Sequence, residues 1–320
     1  MQGRLKAGSP RGYWQGAVRA ARSGLTQITP PELPMIPPAF DYHAPRSVGE
    51  ALSLMGSLGP DAKLLAGGHS LLPMMKLRFA APSHLIDLNR IAELRGICED
   101  GNTVVIGAMT SESALIDSAL LRDKLPLLPE AARQIADPQV RNRGTIGGDI
   151  AHGDPGNDHP AIALALDATL VLQGPGGVRE VAAGDFFLGT YLTAMAEDEI
   201  LTQIRMPALA QGTGWAYEKL KRKTGDWATA AAAVVLRLDG GVVSHIRIAL
   251  TNVAPTALRA HAAEAALLGH TLDEAHIAAA TAAAMAICDP ADDLRGDREY
   301  KTAMAGQMVR RALAKAAARC

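Results

Sequence analysis

The chain has 320 residues, of which 48% are hydrophobic, and its formal net charge at pH 7 is -1. This length allows two domains with separate cores, and the near-zero charge gives no electrostatic reason to expect nucleic acid or an anionic membrane as a partner. No apolar run reaches the roughly 18 residues of a membrane span. Cys98, Cys288 and Cys320 are too scattered for a disulfide framework or an iron–sulfur cluster, so we expect a soluble cytoplasmic protein.

Residues 1–34 differ in character from the rest of the chain. Five basic residues stand there against a single acidic one, Glu32, and no continuous apolar core of a secretory signal is present. We interpret this segment as a disordered or non-native extension and leave it out of the fold prediction. An organelle-targeting leader is the alternative.

Residues 35–211 alternate short β-like runs with helical ones. Apolar side chains recur at helical spacing over residues 48–58, and Gly59-Pro60 ends that helix. Further helices are predicted at residues 111–118 and 128–135, and strands at residues 63–66, 84–88, 103–107 and 168–173. The pattern predicts an α+β domain rather than a regular parallel wound sheet.

Residues 212–320 are predicted to form a second, C-terminal domain. Three strands are expected at residues 215–221, 229–238 and 242–251, with Asp239-Gly240-Gly241 as the hairpin turn between the last two. Alanine, the strongest helix former, dominates residues 257–287, and residues 301–318 continue the trend. We therefore predict a three-stranded antiparallel sheet packed on helices.

Two glycine-centred segments carry the clearest functional signal. The first glycine segment is Ala66, Gly67, Gly68, His69 and Ser70, and the second is Thr145, Ile146, Gly147, Gly148 and Asp149. Glycine lets main-chain N–H groups approach diphosphate oxygens to about 3 Å, and the hydroxyls of Ser70 and Thr145 add donors. A helix starting at Ser70 would also direct its positive dipole end at the phosphates. Either segment alone could be an ordinary turn, but the pair predicts a dinucleotide site.

Substitution and motif arguments sharpen that prediction. Valine at Gly68 or Gly147 should block the diphosphate and leave the fold mostly intact. The sequence has no G-x-G-x-x-G at a strand-to-helix turn and no G-x-x-x-x-G-K-[ST], so neither a nicotinamide Rossmann site nor a nucleotide hydrolase is supported.

The same segments give the chain a family resemblance. Together with Leu71-Leu72-Pro73, Asp154-Pro155-Gly156-Asn157-Asp158 and the run from Tyr217 to Lys223, they resemble the FAD-binding medium subunits of the molybdenum hydroxylases, the xanthine dehydrogenase and carbon monoxide dehydrogenase family. The carbon monoxide dehydrogenase branch is the most similar. The resemblance implies a two-subdomain FAD-binding fold of the vanillyl-alcohol-oxidase or PCMH type, followed by a C-terminal domain of the carbon monoxide dehydrogenase medium-subunit type.

The resemblance also implies FAD as the cofactor and places residues around it. The two glycine segments would grip the diphosphate from opposite sides, with Leu71 continuing the first. Asp149 and Asp158 would accept hydrogen bonds from ribose, ribityl or adenine groups, and Lys221 and Trp227 would lie near the flavin ring. The family often has tyrosine where this chain has Trp227. A solvated loop acid at Asp158 and a buried structural side chain at Trp227 remain open alternatives.

No catalytic residue is predicted in this chain. We interpret His69 as packing on the cofactor or hydrogen bonding to it, because electron transfer through a flavin needs no acid at the diphosphate. One cluster has ligand-like residue types, but its spacing matches no familiar zinc or calcium loop, so turns are favoured over a metal site. Its members are His152, Asp154, Asp158 and His159.

As the resemblance implies, the protein would be one component of an electron relay. A large subunit would oxidise the substrate at a molybdenum cofactor, and a small subunit would pass the electrons through two [2Fe-2S] clusters. The FAD of this chain would then reduce an external acceptor such as a quinone, in a dimer of heterotrimers. A stand-alone FAD-dependent oxidase or reductase, a non-catalytic scaffold or maturation protein, and peripheral association with the inner face of the membrane stay open as alternatives.

Overall fold

Three principal sheets organise the part of the chain that the computed structural model describes, residues 36–320. The predicted extension over residues 1–34 lies outside these residues. Helices and strands both contribute to every layer, so the predicted α+β class is confirmed. No helix in the described part is long and apolar enough to span a membrane.

The first sheet is small and parallel. Its strands are β1 (Asp41–His43), β2 (Ala62–Leu65) and β3 (His84–Asp87), in the order β1-β3-β2. Helix α1 (Val48–Leu58) joins β1 to β2 and has the predicted bounds, because the Ser47 side chain caps its first turn and Gly59, at φ +70°, ends it. The short helix α2 (Leu71–Lys76) separates β2 from β3.

The second sheet has five antiparallel strands. They are β4 (Ile97–Asp100), β5 (Thr103–Gly107), β6 (Thr169–Gly174), β7 (Gly177–Ala182) and β10 (Ile200–Pro207), in the order β4-β5-β10-β6-β7. A hairpin of β8 (Phe187–Gly189) and β9 (Leu192–Thr193) precedes β10. The sequence predicted β5 and β6 but not the central strand β10 between them.

Six short helices connect β5 to β6 and cover the second sheet. They are α3 (Glu112–Asp117), α4 (Ala119–Lys124), α5 (Leu127–Ala132), α6 (Pro138–Arg143), α7 (Ile146–His152) and α8 (His159–Ala165). Only α3 and α5 overlap predicted helices. Helix α7 contains the second glycine segment, which the sequence placed in a turn.

The third sheet carries the C-terminal half. Its strands are β11 (Thr213–Leu220), β12 (Ala230–Asp239), β13 (Val242–Thr251) and β14 (Leu258–Arg259), followed by helices α9 (His261–Leu267), α10 (Glu274–Ala286) and α11 (Arg298–Ala317). The first three strands are as predicted, but β14 makes the sheet four-stranded. Alanine content favoured helix throughout residues 257–287, and pairing of β14 with Ala249 and Leu250 of β13 overrides it there.

Strand β12 is buried on both faces and separates two hydrophobic cores. Ala231, Ala233 and Val235 face the five-stranded sheet and its helices. The alternate residues, Val234 and Leu236 among them, face α10 and α11. The C-terminal sheet is therefore fixed against the N-terminal half, and side chains from β11 can reach residues of α3 to α8.

Candidate functional site

The first glycine segment connects β2 to α2 with an open main chain. Gly68 has φ +79°, a conformation that favours glycine. In residues 36–320, the N–H groups of Gly67, Gly68, His69 and Ser70 donate to no other protein group. His69 Nδ1 lies 3.0 Å from the Gly67 carbonyl, and α2 begins at Leu71 rather than Ser70. Four adjacent backbone donors are thus available to an anion.

The second glycine segment has its N–H groups already bonded within the protein. Thr145 is the N-cap of α7, and Gly147 and Gly148 lie in its first turn rather than in a loop. The amides that we expected to be open are all bonded inside the protein. Their acceptors are Thr110 O for Ile146 at 3.1 Å, Ala108 O for Gly147 at 2.9 Å, Thr145 Oγ1 for Gly148 at 3.2 Å and Thr145 O for Asp149 at 3.0 Å.

Close backbone packing explains the glycine at position 147. A Cβ there would lie 2.4 Å from the Ala108 Cβ and 2.6 Å from the Ala108 carbonyl oxygen. The expectation that valine at Gly147 leaves the fold mostly intact is therefore wrong, because that side chain would collide with backbone. At Gly68 the nearest atom to an added Cβ is Leu72 Cδ1, the flexible end of a side chain, at 3.0 Å.

The fold brings the two segments together, as the dinucleotide prediction requires. A Cβ on Gly67 would lie 2.4 Å from the carbonyl oxygen of Arg143, just before Thr145. A Cβ on Gly148 would lie 3.4 Å from the Cβ of Ala66. The open donors of the first segment therefore lie directly beside the start of α7.

The sequence analysis missed the side chains that hold the first segment. Asn89 Nδ2 donates to the Ala66 carbonyl at 3.0 Å and to Asp87 Oδ1 at 2.6 Å. Tyr42 donates its hydroxyl proton to the other Asp87 oxygen at 2.5 Å. A polar Asp-x-Asn directly after a buried strand was the available signal, because such residues form local hydrogen-bonded turns.

Asp149 directs one carboxylate oxygen inward and leaves the other free. Its Oδ2 accepts the backbone N–H of His159 at 3.2 Å, while Oδ1 has no hydrogen-bond partner in the described residues. Burial raises the pKa of Asp149 to about 7, and the carboxylates of Glu112 and Asp158 act in the same direction. The predicted sugar contact would therefore use Oδ1.

A buried ion pair lies behind Asp149. His159 Nε2 is 2.7 Å from Glu112 Oε2, and the two side chains are 1% and 3% exposed. Burial lowers the pKa of His159, but the adjacent Glu112 carboxylate outweighs it and raises that pKa to about 9. The imidazolium form is therefore held near neutral pH, and α8 is tied to α3.

Asp158 is also held by the protein. Its Oδ1 accepts the Tyr217 hydroxyl proton, and its Oδ2 lies 2.7 Å from Lys219 Nζ. The Lys219 and Asp158 side chains are 1% and 6% exposed, so the alternative of a solvated loop acid is wrong. Both donors come from β11, about 60 residues away in sequence, which no local motif could indicate. The predicted ribityl contact stays a prediction.

Lys221 lies beside Lys219. Both ammonium groups contact the carbonyl oxygen of Gln134, Lys221 at 3.2 Å and Lys219 at 3.5 Å. Burial and the charge of Lys219 lower the pKa of Lys221. Strand β11 ends at Leu220, so Lys221 lies just past it, and Lys223 further along is exposed.

Trp227 is 52% exposed, so the alternative of a buried structural side chain is wrong. A Cβ on Gly156 would lie 3.1 Å from Trp227 Cδ1, and the guanidinium of Arg295 lies 5.6 Å from the ring centroid. Gly156 N in turn donates to Asp154 Oδ1 at 2.8 Å. The indole therefore covers the turn just before Asp158 and keeps an accessible face.

The cluster with ligand-like residue types divides among separate partners. Asp154 caps a turn, Asp158 and His159 form the pairs described above, and the His152 ring lies 5.0 Å from that of Tyr191. Within residues 36–320, no three His, Cys, Asp or Glu side chains are arranged to hold a metal ion.

A cavity of about 320 Å³ lies elsewhere, between β13 and α9, and its lining includes His245 and Arg247. No predicted cofactor ligand lines it. Glu264 and Asp167 engage the arginines around it. The glycine segments are the candidate site instead, because they combine open donors, close backbone approach and adjacent charged groups.

Two families match the chain along nearly all of its described length. The FAD binding domain in molybdopterin dehydrogenase matches residues 38–209. The CO dehydrogenase flavoprotein C-terminal domain matches residues 215–316.

Individual relatives match most of this chain. The carbon monoxide dehydrogenase medium chain of Hydrogenophaga pseudoflava is 69% identical over 286 residues, covering 89% of this chain and 100% of that one. The medium chain from Afipia carboxidovorans is 54% identical over 285 residues, covering 89% and 99%. A solved structure of the Hydrogenophaga pseudoflava carbon monoxide dehydrogenase that lacks the Mo-pyranopterin moiety superposes with a TM-score of 0.88 and 72% identity, covering 89% of this chain and 99% of that one.

Proposed function

Because this chain belongs to the family of FAD-binding medium subunits of the molybdenum hydroxylases, we propose that it is the electron-transferring flavoprotein subunit of a complex similar to carbon monoxide dehydrogenase. One observation carries the site assignment: four unbonded backbone donors of the first glycine segment lie beside the start of α7. We place the domain boundary between residues 211 and 212, at the linker between β10 and β11.

The residues present fit a dinucleotide diphosphate. Gly67, Gly68, His69 and Ser70 would donate their N–H groups to its oxygens, and the Thr145 hydroxyl would add a donor from the second segment. A Cβ at Gly67 would overlap the carbonyl of Arg143, the last residue of α6, so only glycine lets this loop lie so close to the segment that leads into α7. The second segment therefore contributes mainly through its position and its Thr145 side chain, rather than through free glycine amides.

The flavin ring would lie toward β11 and the turn after it. Lys221 offers a cation whose pKa is lowered by burial, and Trp227 offers a half-exposed aromatic face. Bound FAD would accept electrons singly and release them in pairs. Since an indole has no phenol hydroxyl, Trp227 would shield or stack on the ring without serving as an acid.

Partner chains complete the proposed relay. Cys98, Cys288 and Cys320 lie in β4, after α10 and at the C-terminus, and could not ligate a cluster together. We therefore assign the [2Fe-2S] clusters to a small subunit and the molybdenum cofactor to a large one, in a dimer of heterotrimers. The external acceptor is proposed to be a quinone or another two-electron acceptor.

Co-purification with a spectroscopic assay tests this function. An affinity-tagged full-length chain, expressed with its native background, should bring down a large molybdenum-containing chain and a small cysteine-rich chain, with one FAD per tagged chain. Carbon monoxide should bleach the flavin absorption of that complex but not of the isolated chain. A colourless chain without partners would support the scaffold alternative, and bleaching of the isolated chain by a small organic donor would support a stand-alone oxidase.

A further inference from the structure

Asn89 links the first glycine segment to a second polar side chain. Asp87 and the Ala66 carbonyl can only accept hydrogen bonds, so the Asn89 amide nitrogen must face them. Arg95 can only donate, and its Nη2 lies 3.0 Å from Asn89 Oδ1. The partners on both sides therefore fix the orientation of this side-chain amide.

Arg95 extends the link toward the second glycine segment. Its Nη1 donates to the Met109 carbonyl at 3.2 Å. Met109 lies between Ala108 and Thr110, whose carbonyls accept the N–H groups of Gly147 and Ile146. A continuous path of hydrogen bonds and backbone thus runs from the Ala66 carbonyl to the first turn of α7.

We infer that Asn89 and Arg95 are positioning residues that set the separation between the two glycine segments and so shape the diphosphate site. This inference rests on the proposed function for its ligand, but the link itself is a feature of the protein alone. Neither side chain needs to touch the cofactor. Asn89 holds the carbonyl of Ala66, directly before the open donors, and Arg95 holds the strand end that anchors α7.

The main chain makes this role specific. Gly67 and Gly68 have no side chains to lock the loop, and no N–H from Gly67 to Ser70 is anchored within the described residues. Losing the Asn89 contact would let the Ala66 peptide rotate, which would turn the adjacent donors away from a common point. Loss of one such hydrogen bond corresponds to about a tenfold change in affinity.

Affinity measurements on the full-length chain test the inference. Asn89→Ala and Arg95→Ala should each weaken FAD binding about tenfold, measured by quenching of flavin fluorescence, and leave riboflavin binding unchanged because riboflavin has no diphosphate. Arg95→Lys should recover part of the loss, since an ammonium can donate to one carbonyl but not span both partners. Arg90→Ala is the matched control, because Arg90 is an exposed neighbour whose side chain makes no hydrogen bond in the described residues.

A second measurement needs no cofactor. In Arg95→Ala without FAD, hydrogen exchange at the Ile146 and Gly147 amides should rise about tenfold above the Arg90→Ala control. Unchanged exchange there, unchanged FAD affinity in Asn89→Ala, or parallel loss of FAD and riboflavin binding would each overturn the inference. Failure of the wild-type chain to take up FAD would instead contradict the proposed function, and the exchange result would still decide the link.

Discussion

The two glycine segments share a Gly-Gly pair and differ in almost everything that the pair does. In the first segment, Gly68 has positive φ, and the N–H groups from Gly67 to Ser70 have no acceptor among residues 36–320. In the second, Gly147 and Gly148 are helical and their amides are bonded to Ala108 and Thr145. Gly67 and Gly147 both pack closely against another backbone, but the N–H groups of the first pair stay available to a ligand and those of the second are bonded within the protein.

The difference shows that a glycine pair indicates close approach to the main chain but does not indicate whether a ligand or another part of the protein approaches it. At Gly68 an added Cβ would meet the side chains of Leu72 and Leu65, and the adjacent N–H groups remain available to a ligand. At Gly147 the partner is Ala108 of the protein itself. Assigning function to a glycine motif therefore requires an account of where its N–H groups donate.

The largest expected effect on stability comes from the buried ion pair between Lys219 and Asp158. Lys219→Met would leave the Asp158 carboxylate buried without its cation, and we expect a loss of about 3–5 kcal/mol in the free energy of unfolding. Chemical denaturation of the full-length chain measures it. Lys223→Met, on an exposed lysine of the same run, is the matched control and should change stability little.

The double variant sharpens that result. Asp158→Asn with Lys219→Met removes both charges and should recover most of the lost stability. If the single variant were as stable as the wild type, Asp158 would not depend on Lys219, and the pairing described above would be wrong.

Alanine at one glycine of each segment should separate the two roles. Gly147→Ala places a methyl group against Ala108 and should destabilise the fold by about 1–3 kcal/mol. Gly68→Ala meets the side-chain ends of Leu72 and Leu65 and a strained φ, costing about 1–2 kcal/mol, but should weaken FAD binding at least about tenfold. Thermal denaturation and FAD titration of both variants check this, with Gly56→Ala, in open space on α1, as the control. If Gly147→Ala and Gly68→Ala lost flavin affinity in the same proportion to their lost stability, the two segments would not have separate roles.

A smaller change in the free energy of unfolding should depend on pH, through His159 and Asp149 beside the second glycine segment. The pKa of His159 is raised from 6.5 to about 9, so its contribution is complete below about pH 6.5 and is lost as pH rises through about 9. The pKa of Asp149 is raised from 3.8 to about 7, and its contribution is likewise lost as pH rises, through about 7. The free energy of unfolding should therefore fall between pH 3.8 and about 7 through Asp149, and between pH 6.5 and about 9 through His159.

His159→Gln isolates the upper part of that range. The variant should flatten the decline above about pH 7.5 in denaturant titrations and keep the decline below about pH 7 that Asp149 contributes. A wild-type chain whose stability rises over this interval would show that the signs assigned to these groups are incorrect.

Local signals predicted much of the fold. The bounds of α1 followed from apolar residues at helical spacing and from Gly59-Pro60, and β13 followed from the hairpin turn at Asp239-Gly240-Gly241. Helix α7 was missed because two glycines oppose helix by propensity, and the compensating bonds come from Ala108 and Thr110 in another element. Strand β10 was missed because its pairing with β5 and β6 is distant in sequence.

The candidate site, like the fold, was predicted only where local sequence signals determine it. The adjacency of the two glycine segments was predicted correctly, because the pair of motifs indicates one shared ligand. The capture of Asp158 by Tyr217 and Lys219 was not, because that pairing exists only once β11 packs on the N-terminal half. Local motifs therefore identified candidate site residues, whereas packing between distant segments determined their partners.

Amide hydrogen exchange with and without FAD tests the central claim most directly. The account predicts that FAD slows exchange strongly at the amides of Gly67, Gly68, His69 and Ser70. It also predicts that the amides from Ile146 to Asp149 are already protected before FAD is added and change little. Protection that appeared on FAD binding only at Ile146 to Asp149, with the first segment still exchanging freely, would contradict the assignment of the open donors to the diphosphate.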